Sequence, residues 1–236
     1  MNTSPIIALD FDSAEKTFDF LHSFDGGLNV KVGMQLYYKE GPSIVARLKD
    51  QGYDVFLDLK LHDIPNTVKS SMEVLAGMGA NLVNVHAAGG KTMMEAALEG
   101  LDKGTPMGKN RPSLIAVTQL TSTDEQQVRK EQLIEVSLQQ SVLHYGQLSK
   151  EAGLDGVVCS VHEAAVLTDV CGKEFFKVTP GIRLADGGAH DQKRIATPEE
   201  ARLAGSTHIV VGRAITGAND PLAAYNIINA QWKGAK

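Results

Sequence analysis

Asp58, Lys60 and Asp63 lie close together in the run Asp58-Leu59-Lys60-Leu61-His62-Asp63-Ile64-Pro65-Asn66-Thr67. They follow an apolar stretch, Val55-Phe56-Leu57, that reads as a buried strand. Side chains alternate faces along a strand, so Asp58 and Lys60 share one face while Leu57, Leu59 and Leu61 share the other. Charge away from water is costly unless it is paired or in use. A lysine flanked by carboxylates can be kept protonated, can stabilise a developing negative charge and can then deliver a proton. A purely structural ion-pair network is the plainer alternative, but it gives no reason for more charge at the ends of neighbouring runs.

Those neighbouring runs define the scaffold. Short apolar, β-rich segments recur at Ile6–Asp10, Asn29–Gly33, Asp54–Lys60, Leu82–Ala87, Ser113–Leu120, Gly156–Ser160, Phe176–Ile182 and Ile209–Ala214. Most are continuously hydrophobic, as parallel strands covered on both faces should be. Helical segments separate them. Asp12-Ser13-Ala14-Glu15 resembles a capping box, and Asn66–Gly77 reads as a helix with Pro65 at its start. Thr197-Pro198-Glu199-Glu200 and Asp220-Pro221 are further helix openings, and the long stretch Thr121–Gly153 has room for two helical pieces. Eight strand–helix units in 236 residues predict an α/β fold of the (β/α)8 TIM-barrel type, a single domain over residues 1–236. An open doubly wound sheet is the other candidate, but it would usually place a glycine-rich loop after the first strand. Here that strand ends Ala8-Leu9-Asp10-Phe11-Asp12.

Barrel enzymes build their sites at the C-terminal strand ends. Those ends carry Asp10, Lys31, Asp58 with Lys60, His86, Ser160, Pro180-Gly181 and Gly212-Arg213. Taken singly, several could serve the fold alone. Asp10 could cap the first helix, His62 could orient its loop, and His86 reads as a hydrogen-bonded core histidine. Lys31, inside Val30-Lys31-Val32-Gly33, is poorly placed for a rim lysine. A second cluster lies late in the chain: Pro180-Gly181-Ile182-Arg183, a polar glycine-containing stretch over 184–194, then Val211-Gly212-Arg213-Ala214. Loops after the seventh and eighth barrel strands commonly hold phosphate. Glycine lets backbone N–H groups approach an anion, and arginine adds a forked donor set.

The formal net charge of −5 argues against nucleic acid or an anionic membrane as the main partner. The two cysteines, Cys159 and Cys171, form no metal-ligand or disulfide pattern. The start Met1-Asn2-Thr3-Ser4-Pro5 has no signal-peptide character, and no apolar run is long enough to span a membrane. A cytoplasmic protein is expected.

With these residues in view, the sequence resembles the orotidine 5′-phosphate decarboxylase family, in its shorter bacterial form, along essentially its whole length. The family's Asp-x-Lys-x-x-Asp motif matches Asp58, Lys60 and Asp63, and Ile64-Pro65-Asn66-Thr67 continues the match. Asp10 and Lys31 match polar strand ends, Thr121 matches a substrate-contacting threonine, and Arg183, Gln192, Gly212 and Arg213 match a phosphate-binding set. The resemblance implies a carboxy-lyase (EC 4.1.1.23) that converts orotidine 5′-phosphate (OMP) to uridine 5′-phosphate (UMP) and CO2, without metal or cofactor. It implies a homodimer in which Asp63 and Thr67 enter the partner's site. It further implies that Lys60 donates the proton, that Lys31 and Asp10 reach the ribose, and that Gln192 contacts the base. A mobile lid over 184–193 is expected. The rival is a magnesium-dependent keto-sugar-phosphate decarboxylase or aldolase on the same scaffold. Those enzymes place a carboxylate ligand at the end of the second strand, where this chain has Lys31. A nucleotide sensor without catalysis would be expected to lack Lys60 or a flanking aspartate.

Overall fold

All eight apolar runs become parallel strands. The computed structural model describes residues 1–184 and 194–234. In chain order it runs β1 (Ile6–Ala8), α1 (Ala14–Leu21), β2 (Asn29–Gly33), α2 (Met34–Glu40), α3 (Ser43–Asp50), β3 (Asp54–Leu61) and α4 (Pro65–Ala76). β4 (Leu82–His86), α5 (Gly90–Gly104), β5 (Ser113–Val117), α6 (Glu125–Lys130), α7 (Leu138–Glu151), β6 (Gly156–Val158) and α8 (Val161–Cys171) follow. The chain then adds β7 (Phe176–Thr179), α9 (Pro198–Leu203), β8 (His208–Val211), α10 (Arg213–Thr216) and α11 (Pro221–Lys233). The strands close in sequence order, with β8 pairing back to β1 through Ile6–Val210 and Ile7–Val211. This is the (β/α)8 barrel.

The period-two alternation explains both cores. One set of strand residues, including Ile6, Ala8, Phe56, Leu82, Ile115, Val178 and Val210, packs inside the barrel. The alternate set, including Ile7, Val30, Val55, Leu57, Val83, Leu114 and Ile209, packs outward against the helices. Burial of both faces is why the runs read as continuously apolar. Among the described residues, no helix is long and apolar enough to cross a membrane.

Several strands are shorter than their apolar runs. β1 stops at Ala8 rather than Asp10, β5 at Val117 rather than Leu120, and β7 at Thr179 rather than Ile182. The regular strands end at these residues, while the apolar composition continues into the loops that build the site. The first helix also differs from expectation. Ser13 is its N-cap, with Oγ accepting from Lys16 N at 3.3 Å. Asp12, the cap position expected from the sequence, instead accepts from Lys16 Nζ at 2.8 Å. Thr197 and Asp220 cap α9 and α11 as expected, each followed by proline at the first helical position.

Candidate active site

Four charged side chains form one chain of contacts at the C-terminal ends of β1, β2 and β3. Lys31 Nζ donates to Asp10 Oδ1 at 3.0 Å and lies 3.5 Å from Asp58 Oδ2. Lys60 Nζ donates to Asp58 Oδ1 at 2.7 Å. Charge thus alternates along Asp10, Lys31, Asp58 and Lys60. Gly33 keeps the corner open, since a Cβ there would come within 3.2 Å of Lys31 Nζ and 3.3 Å of Asp10 Oδ1. Asp58 is buried, and burial alone would push its carboxyl up. The charges of Lys31 and Lys60, with hydrogen bonds from Lys60 and Asn84, outweigh that and hold its pKa below the ordinary carboxylate value. Asp58 is therefore kept ionised, a fixed negative charge between two ammonium groups.

The array forms one wall of a cavity of about 470 Å³ in the mouth of the barrel. Inward residues Ala8, Phe56, Val117, Val158, Val178 and Val210 make an apolar floor. Thr121, Arg183, Gly212 and Arg213 also line it, with Gly212 beside Asp10: a Cβ there would come within 3.9 Å of Asp10 Oδ2. Arg183 is buried, with Nη1 donating to the Ile182 carbonyl at 2.8 Å, while Arg213 is exposed at the start of α10. Gly181, at φ 83°, uses backbone freedom that glycine has and other residues rarely adopt. The arrangement suits a ligand with a flat, largely apolar middle, polar groups toward the lysines and an anion toward the arginines. Among the described residues, no group of three or more His, Cys, Asp or Glu side chains could hold a metal ion.

Most of the residues singled out in the sequence meet here: Asp10, Lys31, Asp58, Lys60, Thr121, Arg183, Gly212 and Arg213 all line the cavity. Asp63 and Thr67 do not. Both are exposed at the start of α4, and Asp63 Oδ1 accepts from the next amide, Ile64 N, at 2.7 Å. They line a separate groove with Met34, Tyr38 and His62, and Lys60 borders both this groove and the cavity. Gln192 and nearly all of the expected lid lie outside the described residues. His86 does not line the cavity. Its ring lies 5.7 Å from that of His62, and burial, reinforced by the neighbouring charges of His62 and Lys60, lowers its pKa.

Two groups escaped sequence reasoning. Asn84 of β4 donates to Asp58 Oδ1 at 2.7 Å and accepts from Lys60 N at 2.8 Å. The signal was a polar residue inside Leu82-Val83-Asn84-Val85-His86, with the same inward parity as His86. Arg194 is ion-paired with the buried Glu163 and donates through Nη2 to the Leu120 carbonyl at 2.8 Å. Glu163 in turn accepts from Ser160 N at 2.7 Å. This clasp ties the turn bearing Thr121 to the end of β6 and the start of α8.

Comparisons with known proteins agree with this geometry. The model of a family described as orotidine 5′-phosphate decarboxylase / HUMPS matches residues 3–228. A protein of Lysinibacillus sphaericus (strain C3-41) named orotidine 5′-phosphate decarboxylase is 65% identical over 233 residues, covering 99% of this chain and 100% of the relative. One of the same name from Bacillus caldolyticus is 60% identical over 237 residues, covering 100% of this chain and 97% of the relative. The crystal structure of orotidine 5′-phosphate decarboxylase from Lactobacillus acidophilus superposes with a TM-score of 0.89 at 42% identity, covering 98% of this chain and 99% of that one.

Proposed function

The chain belongs to the orotidine 5′-phosphate decarboxylase / HUMPS family, and on that premise we propose how its cavity acts on orotidine 5′-phosphate. The protein decarboxylates OMP to UMP and CO2, the last step of de novo UMP synthesis. The C6–carboxyl bond breaks, CO2 leaves, and the electron pair stays on C6 in an orbital outside the ring's conjugation. Lys60 meets that charge. Its ammonium stabilises the carbanion and then transfers a proton to C6, leaving a neutral amine that solvent reprotonates.

The observation that carries this reading is the array itself. Lys60 Nζ lies 2.7 Å from Asp58, which lies 3.5 Å from Lys31, in a cavity lined also by apolar side chains and by Arg183 and Arg213. Fixed charges in a site shielded from water act without having to reorganise during the reaction. Asp58 holds Lys60 in place, and Lys31 with Asp10 reaches the ribose hydroxyls. Thr121 and Gln192 contact the base. Arg183, Arg213 and the Gly212 amide hold the phosphate, whose binding energy orients the reacting ring.

The working unit we propose is a homodimer. Asp63 and Thr67 are exposed beside Met34 and Tyr38, on a face bordering Lys60. In the dimer they complete the partner's site, with Asp63 adding a second carboxylate beside the partner's Lys60. A cytoplasmic location accords with this role.

Ultraviolet absorbance of OMP mixed with the purified protein in excess EDTA tests the assignment. Conversion to UMP is expected with EDTA present and is lost in Lys60→Ala. A variant keeping more than about a tenth of the rate, a barrier change of only ~1.4 kcal/mol, would remove Lys60 from its role. Loss of wild-type turnover in EDTA, restored by magnesium, would favour the metal-dependent sugar-phosphate chemistry instead.

A further inference from the structure

Between β3 and β4 the strand register shifts. Leu57 pairs with Val83 and Leu61 with Val85, so Asp58, Leu59 and Lys60 together stand opposite the single residue Asn84. A bulge of this kind leaves backbone groups outside the ladder. It also coincides with Lys60 at φ 53°, a left-handed conformation that residues other than glycine rarely adopt and that strains them. Something must hold it. Asn84 is buried at the centre of the mismatch, and both ends of its amide are engaged: Oδ1 accepts from Lys60 N at 2.8 Å, and Nδ2 donates to Asp58 Oδ1 at 2.7 Å. The amide's orientation follows from its partners, because a carboxylate only accepts and a backbone N–H only donates.

We infer that Asn84 is a positioning residue for decarboxylation: one side chain pins the bulge that aims Lys60 into the cavity and fixes the Asp58 carboxylate that holds the Lys60 ammonium. This rests on the role proposed for Lys60. The geometry asks for a side chain with one donor and one acceptor at this reach. Alanine supplies neither. Aspartate supplies the acceptor but sets a second carboxylate against Asp58.

The test compares wild type, Asn84→Ala and Asn84→Asp by kcat and KM on OMP, UMP affinity by calorimetry, and hydrogen exchange at the Lys60 amide by NMR. For Asn84→Ala, kcat is expected to fall roughly 30-fold or more, while KM and UMP affinity stay within about threefold. Its Lys60 amide is expected to exchange at least about tenfold faster. Asn84→Asp, close to isosteric, is expected to keep the amide's protection within about threefold yet also to lose kcat. The inference is overturned if Asn84→Ala keeps kcat within about threefold of wild type, or if its Lys60 amide exchanges no faster. It is likewise overturned if UMP affinity falls in proportion to kcat, since that means a collapsed cavity rather than a misaimed lysine. Should Asn84→Ala fail to fold, Asn84→Asp decides: full kcat or an unprotected amide overturns the inference. A wild-type protein that binds UMP but does not turn over OMP overturns the functional reading, and the exchange result still decides whether Asn84 holds the bulge.

Discussion

At the scale of single residues, the site separates charge by task. Lys31, Asp58 and Lys60 are linked by ion pairs, and Arg213, exposed, lines the same cavity and is not among these pairs' partners. That separation predicts separable defects. Arg213→Ala should leave the reacting ring's surroundings intact and weaken phosphorylated ligands. Loss of a charge-assisted hydrogen bond is worth about 2 kcal/mol, or roughly 30-fold in affinity. Calorimetry with UMP and with uridine checks this: UMP binding should weaken by about that factor while uridine binding stays the same. Equal affinity of the variant and wild type for UMP would remove Arg213 from the phosphate site. The charged residues were legible in the sequence for a physical reason. An ionised group in an apolar run is costly enough to demand a partner or a purpose. Asn84 left only the weaker signal of a neutral amide in an apolar run, and its partners depend on a register shift that no linear pattern displays.

At the scale of elements, the barrel was legible almost entirely, since continuous apolar runs and capping residues are local properties. Strand ends were less so, because the apolar composition outlasts the ladder. The Arg194–Glu163 clasp, joining segments far apart in sequence, had no local signature at all. Helix contacts were equally hidden. Gly100 and Gly104 of α5 face the α4 backbone, and a Cβ on either would overlap the carbonyls of Lys69 and Glu73. Ion pairs Lys69–Glu99 and Lys103–Glu73 flank this contact. In sequence such glycines look merely like poor helix formers, and propensity alone predicts that Gly100→Ala stabilises by about 1 kcal/mol. The close approach reverses the sign. Overpacking against backbone should destabilise the protein by roughly 1–3 kcal/mol and lower its melting temperature by several degrees. Thermal unfolding at fixed protein concentration reads the outcome, and a higher melting temperature would mean that α4 and α5 can separate freely. Because α4 begins at the Asp63–Thr67 segment, a displaced α4 should also reduce turnover.

At the scale of the whole molecule, Asp63 is the residue that the resemblance sends to a partner's site and that its own chain leaves outside the cavity. It belongs to the same short motif as Asp58 and Lys60, yet in its own chain it faces the groove on the far side of Lys60. Exposed Tyr38 and Ile64 beside it supply apolar surface of the kind that a second copy would cover. If Asp63 acts in the partner's site, Lys60→Ala and Asp63→Ala protomers should each be inactive as pure dimers. Mixed, they should rescue each other. Every heterodimer then holds one site lacking both groups and one site with both, because Lys60 and Asp63 of a site come from different chains. Random exchange at equal amounts makes half the dimers mixed, so about a quarter of wild-type activity should return. The measurement is OMP turnover before and after the two variants are mixed and allowed to exchange subunits, with dimer formation checked by sedimentation. Were Asp63 instead to serve the Lys60 of its own chain, each chain would carry one defect within its own site. No intact site could then form at any mixing ratio, and activity would stay at the level of the single variants.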